Sequence, residues 1–373
     1  MCSVEAKHHR SARFKCLFIV QGEGRGHLTQ ALTLRTLLDE EGHKVVHVMV
    51  GQSSQREIPS FFYQKIHSPT SRFDSPNYVW DTEDKDLHLP LTFYINLKKL
   101  PQFIASIHRI HKTIVSTKPD IILNFFEPLV GIYALLYRPQ VPIISVAHQY
   151  LFLHPRFCFP PGRRLAKVLA KAFTRITAIG ARTLLALSFY PLPDLPGKHL
   201  YIVPPLIRRE VLAKRETKSD GYLLVYILNP GYGKEIISWH KKSREIEKHC
   251  FWDSKNAHEK WSFDNHLTFH RIDDEKFLDM MTNCRAVITT AGFESICEAC
   301  YLRKKVIAVP VGNHFDQLFN AYDIQANAGL GSSEESFQNV DPLIADHPVD
   351  FENFRQWVEK NEAKFMRQIS NCL

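Results

Sequence analysis

Two stretches of this chain carry residue types and spacings suited to holding an anion and a polyhydroxyl ligand. The run Thr289-Thr290-Ala291-Gly292-Phe293-Glu294-Ser295-Ile296-Cys297-Glu298 follows a strand-like stretch at 285–288 and opens a helix. Gly292, Phe293 and Ser295 therefore stand at a helix N-terminus, whose free N–H groups attract anions such as a diphosphate. Glu298 lies three residues beyond Ser295, within reach of a ribose attached to that diphosphate, and a carboxylate can accept from two vicinal hydroxyls. After the next strand, 306–310, Asp316 and Gln317 offer short acceptors and donors suited to sugar hydroxyls.

A second group lies near the start. An apolar run at 14–20 reads as a buried strand and leads into Gly22-Glu23-Gly24-Arg25-Gly26-His27. A helical pattern over 28–41 follows, closed by Gly42 as C-cap, and 45–50 reads as the next strand. This is a β-α-β unit with a glycine-rich first turn. The spacing is not Gly-x-Gly-x-x-Gly, and the second strand ends at Gly51 without the acidic residue that would hold an adenine ribose, which argues against a dinucleotide cofactor. His27 closes this turn, and an imidazole with a pKa near ~6.5 is largely neutral yet basic around neutral pH. The strand-like segment 120–123 runs into Asn124 and Glu127, and 141–147 runs into His148. Ligands of open α/β sheets gather at such carboxyl ends, so Glu127 and His148 are cleft candidates, with a structural role equally open for His148. In the second half, 221–228 is a strong strand ending in a Gly/Pro turn with Gly231. Helix-like 234–249, strand-like 267–271 and helix-like 274–282 then alternate up to the 289–298 run.

The 289–321 region, supported by 22–27, resembles the donor-binding region of nucleotide-sugar glycosyltransferases of the GT-B architecture, especially the MurG and UDP-glycosyltransferase-like groups. The resemblance implies an α/β fold with two Rossmann-like domains facing across a cleft. It implies that Gly292, Phe293 and Ser295 meet the donor diphosphate, Glu298 the ribose, Asp316 and Gln317 the transferred sugar, and the Gly231 loop the diphosphate from the other side. His27 matches the base that deprotonates the acceptor hydroxyl. Two positions depart from the pattern: Thr290 stands at or near a phosphate-contacting histidine of many plant-type members, and Asn124 stands where relatives place the aspartate that orients the base. Either Glu127 takes over that orientation or His27 works without a carboxylate partner.

The expected activity is inverting transfer of a sugar from a nucleotide-diphosphate donor, UDP being the family's commonest, to a hydroxyl acceptor, with a lipid or cell-envelope glycan precursor as one candidate. The leaving diphosphate would be stabilised by helix and loop amides, with no metal and no other cofactor. A nucleotide-sugar epimerase of the same fold and a non-catalytic nucleotide-sugar-binding protein are the alternatives.

Length and composition allow two domains: 373 residues, 45% of them hydrophobic, can fill two cores. The reading divides them into a mobile tail at 1–12, an acceptor-side domain at 13–198, a donor-side domain at 199–345, and a charged helical segment at 346–373. In the resembled fold that segment crosses back onto the first domain. Eight scattered cysteines favour free thiols, and Cys297-x-x-Cys300 lacks a second pair at zinc spacing. Asp84-Lys85-Asp86 sits in a polar run and reads as a solvated loop rather than a metal site.

The net charge of +8 is unevenly spread: no Asp or Glu occurs between Pro128 and Pro193, while eight Arg and Lys do. Within that interval Arg163, Lys167, Lys171 and Arg175 recur every four residues, with Leu165, Val168, Leu169, Ala172 and Ile176 on another face. Such a basic amphipathic helix can lie on an anionic membrane or pack its apolar face on the domain core. A nucleic-acid partner is not indicated, because no aromatics are interleaved. No apolar run reaches the ~18 residues of a membrane span, and the opening residues lack a signal peptide's apolar centre. The expected location is the cytoplasm, with the inner face of a membrane as a possible seat.

Overall fold

The computed structural model describes residues 13–52, 58–77, 79, 88–215, 219–227, 230–253, 259–312, 314–344 and 349–373. The 1–12 tail and the Asp84–Asp86 run lie outside the described residues.

Two seven-stranded sheets organise the chain. The first contains β1 (Lys15–Gln21), β2 (Lys44–Gln52), β3 (Thr70–Asp74), β4 (Ile121–Phe125), β5 (Ile143–Ala147), β6 (Thr183–Leu187) and β7 (Leu200–Val203), all parallel, in the order β3-β2-β1-β4-β5-β6-β7. Near-continuous apolar runs form these strands because helices cover both faces. Alternation along the strand then assigns each side chain to a layer. Phe18 and Val20 pack with Leu28, Ala31 and Leu34 of the helix Arg25–Glu40. Leu17 and Ile19 pack with Phe103, Ile107, Ile110 and Ile114 of the helix Leu100–Thr117.

The second sheet contains β8 (Leu223–Ile227), β9 (Lys248–Trp252), β10 (Lys260–Ser262), β11 (Leu267–Arg271), β12 (Ala286–Thr289), β13 (Lys305–Ala308) and β14 (Ser332–Ser333). Its order is β10-β11-β9-β8-β12-β13-β14, with β10 antiparallel to β11 and the other pairs parallel. The chain is thus α/β with two Rossmann-like sheets.

Two sequence expectations change, and of the two placements open to the basic helix the packing of its apolar face on the core is not found. Leu200–Val203 was assigned to the second domain but pairs with β6 in the first sheet, so the first sheet extends past residue 199. The helix expected over 234–249 ends at His240, and Lys248–Trp252 forms β9, because Cys250 and Phe251 fill the second sheet's core. The helix Arg164–Ala178 does not bury its apolar face: Ala166, Ala170, Thr174 and Thr177 face the protein, while Leu165 is 72% and Val168 62% exposed. A neighbouring helix, Pro128–Tyr137, leaves Leu135 and Leu136 exposed as well.

The helices Glu352–Asn361 and Ala363–Ser370 return to the first sheet. Trp357 Nε1 donates to Ser188 O at 2.9 Å, and Lys364 Nζ pairs with Asp194 at 2.7 Å.

Candidate functional site

The carboxyl ends of β1, β2 and β4 converge with little room between backbones. Gly22 N–H donates to Gly51 O at 2.8 Å, and a side chain at Gly22 would collide with that carbonyl. A side chain at Gly51 would in turn collide with the Glu127 carboxylate. The tight turn after β1 starts the helix Arg25–Glu40 directly, so His27 sits in its first turn. Gly26 brings this turn against Glu294: a Cβ there would stand 3.5 Å from Glu294 Cγ.

His27 is half-buried and stacked on Phe126 of the first domain, with centroids 5.6 Å apart. Burial lowers its pKa to about 4, against a raising contact from Gln30. The Nδ1 atom lies 3.2 Å from Gln30 Oε1, and Gln30 Nε2 donates to Glu294 Oε1 at 2.8 Å.

Neither residue weighed for orienting His27 is bonded to it. Asn124 is turned into the first domain, where its amide donates to Ser145 Oγ and Thr177 O at 3.3 Å and its oxygen accepts from Glu127 N at 2.9 Å. Glu127 is fully buried, caps the helix Pro128–Tyr137 by accepting from Leu129 N, and accepts from Ser75 Oγ at 2.7 and 2.9 Å. Burial pushes its pKa up to about 8, partly offset by the Ser75 and Leu129 bonds.

Across the cleft, β12 leads through Thr290 and Ala291, the latter at φ +57, into Gly292 and the helix Phe293–Tyr301. The side-chain amide of Asn320 holds this strained turn by donating to Ala291 O at 2.9 Å. Ser295 Oγ folds back onto Gly292 O at 3.0 Å. Phe293 stacks on His148 of the first domain, ring centroids 4.0 Å apart. His148 is buried, its Nδ1 2.8 Å from Leu187 O and its Nε2 3.7 Å from Asp323 Oδ2. It is therefore part of the wall between the domains.

Glu298 is also buried, and both carboxylate oxygens face the guanidinium of Arg208, at 2.5 Å from Nε and 2.8 Å from Nη2. Arg208 Nη1 reaches Asp274 at 2.5 Å, and Asp274 takes Lys65 of the first domain at 2.8 Å. Burial raises the pKa of Asp316 to about 6, with the Gln149 side chain of the first domain opposing the rise. Gln317 Oε1 accepts from Val311 N at 2.9 Å, fixing the loop after β13. Gly231 lies in the single turn Pro230–Tyr232 after β8, and the Tyr232 hydroxyl accepts from Gly312 N at 3.4 Å, so the loops after β8 and β13 meet. A cavity of ≈ 590 Å³ opens there, lined by Tyr232, Val311, Gly312 and Phe315 of the second domain and Arg163 and Ala166 of the first.

Gln30, Glu294, Arg208 and Gln149 went unnoticed in the sequence. Gln30 carried a signal, being three residues from His27 on a helix, and Glu294 another, beside Gly292. Arg208 is ninety positions from Glu298 and carried none.

The sequence profile described as Glycosyl transferase family 1 matches residues 14–347. A search of curated proteins returned no match. Among solved structures, Arabidopsis thaliana UGT89C1 complexed with quercetin is similar at TM-score 0.63 and 15% identity, over 97% of this chain and 100% of that one. CalG4, the calicheamicin glycosyltransferase, gives 0.61 and 13%, over 97% and 98%. Medicago truncatula UGT71G1 complexed with UDP-glucose gives 0.60 and 12%, over 96% and 98%.

Proposed function

The chain belongs to glycosyl transferase family 1, and from that premise we propose that it transfers a sugar, with inversion, from a nucleoside-diphosphate donor to a hydroxyl acceptor. The observation that carries this reading is the link from His27 through Gln30 to Glu294, in the first turn of the helix Phe293–Tyr301 of the second domain.

In the proposed step His27 Nε2 takes the proton of the acceptor hydroxyl as its oxygen attacks the anomeric carbon. The bond from that carbon to the diphosphate oxygen breaks, and the nucleoside diphosphate leaves with the electron pair. N–H groups at Gly292, Phe293 and Ser295, with the Gly231 loop opposite, meet the growing negative charge. Asp316 and Gln317 bind the transferred sugar. Glu298 accepts from the ribose through lone pairs not directed at Arg208. UDP is the proposed carrier; among the similar structures, UGT71G1 was solved with UDP-glucose.

For the acceptor we propose a lipid-linked hydroxyl presented at an anionic membrane surface. Support comes from the outward Leu165 and Val168 beside the exposed Arg163, Arg164, Lys167 and Arg175, an arrangement that fits the headgroup boundary of a bilayer. Among the described residues no helix is long and apolar enough to cross a membrane.

The test begins with a thermal-shift screen of nucleoside diphosphates, followed by turnover of His27→Ala with saturating donor and acceptor. A general base contributes typically ~10²–10⁴-fold, so turnover should fall by about that much with donor affinity nearly intact. Turnover within about threefold of the unaltered enzyme would remove His27 from the role and turn attention to Glu127.

A further inference from the structure

The base histidine in this fold needs a partner that decides which ring nitrogen carries the proton, and the two nearest candidates in the first domain are occupied elsewhere. Asn124 is bonded to Ser145, Thr177 and the Glu127 amide, and Glu127 to Ser75 and Leu129. We propose that Gln30 and Glu294 together set the tautomer of His27, so that the second domain completes the base of the first.

Gln30 is 2% exposed and sits between the two groups, with its oxygen 3.2 Å from His27 Nδ1 and its nitrogen 2.8 Å from Glu294 Oε1. A primary amide is two-ended: one end only donates, the other only accepts. With Glu294 ionised, that carboxylate can only accept, so it takes the amide nitrogen and turns the amide oxygen to His27. His27 must then carry its proton on Nδ1, which leaves the Nε2 lone pair bare for an acceptor hydroxyl. With Glu294 protonated at Oε1, the carboxyl group donates and the amide turns end for end. The amide nitrogen now faces Nδ1, and the histidine proton moves through solvent to Nε2, closing the lone pair that catalysis needs. The ring stays neutral throughout; the only net change is the carboxyl proton.

Two further observations fit. Glu294 Oε2 is buried without a hydrogen-bond partner, so a proton there would find no acceptor, whereas one on Oε1 finds Gln30 after the turn. Burial, the largest influence on Glu294, and then the charge of Glu298 push its pKa up, while Gln30 and Arg208 oppose, leaving it at about 8. The charged and titratable groups around it are Glu298 and Cys297 on its own helix, Arg208 from the connection after β7, and His27 through Gln30. Because Gln30 and Glu294 lie on different domains, separating the domains would release the amide and the tautomer with it. Both act on His27 rather than on substrate and are positioning residues.

The inference rests on His27 as the base, and its test is chosen to be readable without turnover. Full-length protein with ¹⁵N-labelled histidine, the His27 resonances identified by their loss in His27→Gln, reports the tautomer directly. The expected result is Nε2–H at low pH passing to Nδ1–H as pH rises through Glu294 ionisation, and no such passage in Glu294→Gln. Gln30→Leu should leave mixed tautomers at every pH and lower kcat about 10- to 100-fold with the donor KM unchanged, since part of a general base's contribution is lost. An Nδ1–H tautomer that persists in Gln30→Leu, or a pH-driven passage that survives in Glu294→Gln, overturns the proposal. Tautomers that respond as expected while turnover of Gln30→Leu is unchanged uphold the positioning and overturn the base reading instead.

Discussion

At the scale of single residues, the site is set by what burial does to acids and imidazoles. His27 and His148 are both pushed down to about 4 and remain neutral through the physiological range, so a loss of activity between pH 5 and 7 should come from the tautomer that Glu294 sets and not from charging of the His27 ring. Glu127 moves the other way, to about 8. Its folded form holds a proton that the unfolded chain has released above its ordinary value of 4.5. Stability from this group is therefore full at acid pH and is lost as pH rises toward 8, at about 1.4 kcal/mol per pH unit. Glu127→Gln, which keeps the shape and the cap, should flatten the decline of melting temperature between pH 6 and 8 by that one proton's share. An unchanged slope would mean that Glu127 is ionised in the fold. The residues proposed for donor and base, Gly292, Ser295, Glu298, Asp316 and His27, are readable as residue types at spacings. What is not readable is which protein partners each finds: Glu298, placed within reach of a ribose, also meets Arg208, and the contact to His27 Nδ1 comes from Gln30 rather than Glu127.

At the scale of elements, strands with continuous apolar runs were readable because burial on both faces leaves no ambiguity, as at β1, β4 and β8. Lys248–Trp252 was not, since a short run that alternates His249, Cys250 and Phe251 after a helix has no marker separating strand from continued helix. The helix Arg164–Ala178 is found by its period, but periodicity cannot say which face is inward; the small side chains of Ala166 and Ala170 take the interior, in one cluster with Tyr150, Phe152 and Phe319. The two faces should therefore respond oppositely. Leu165→Asp with Val168→Asp should leave the melting temperature within about 1 °C, as surface changes usually stay within ±0.5 kcal/mol, yet release the protein from anionic vesicles in a sedimentation assay. Ala170→Leu should cost ~1–3 kcal/mol by overpacking and leave vesicle binding in place. Failure of the unaltered protein to cosediment at low salt would leave the exposed leucines without a membrane partner.

At the scale of the whole molecule, one apolar cluster runs from Phe18 and Leu34 of the first domain to Ile296 and Cys300 of the second, and ionic contacts join the domains around it. Arg208, far more buried than its neighbour Arg209, is bidentate to Glu298 and bonded to Asp274, both buried with it for most of their surface. Removing one partner of a buried pair leaves the other charge unpaired and costs ~3–5 kcal/mol. Arg208 keeps Asp274 when Glu298 is removed, so Glu298→Ala should lower unfolding stability by less than that, about 1–3 kcal/mol, besides any loss of nucleotide affinity, and Arg208→Ala combined with it should cost less than the sum of the two. A loss below ~1 kcal/mol in denaturant titrations would mean the pair is not formed in solution.

The return of Glu352–Ser370 to the first sheet also orders events during biosynthesis. Trp357, Phe365 and Ile369 cover apolar surface beside β6 and β7, strands that leave the ribosome well before them. At ~5–20 residues per second the interval is on the order of 10 s, during which the nascent first domain stands with one flank uncovered. Chaperone occupancy on translating ribosomes should peak in that window and fall once the final helices emerge, so that a chain stalled before residue 350 is recognisable to quality control by the flank it leaves bare.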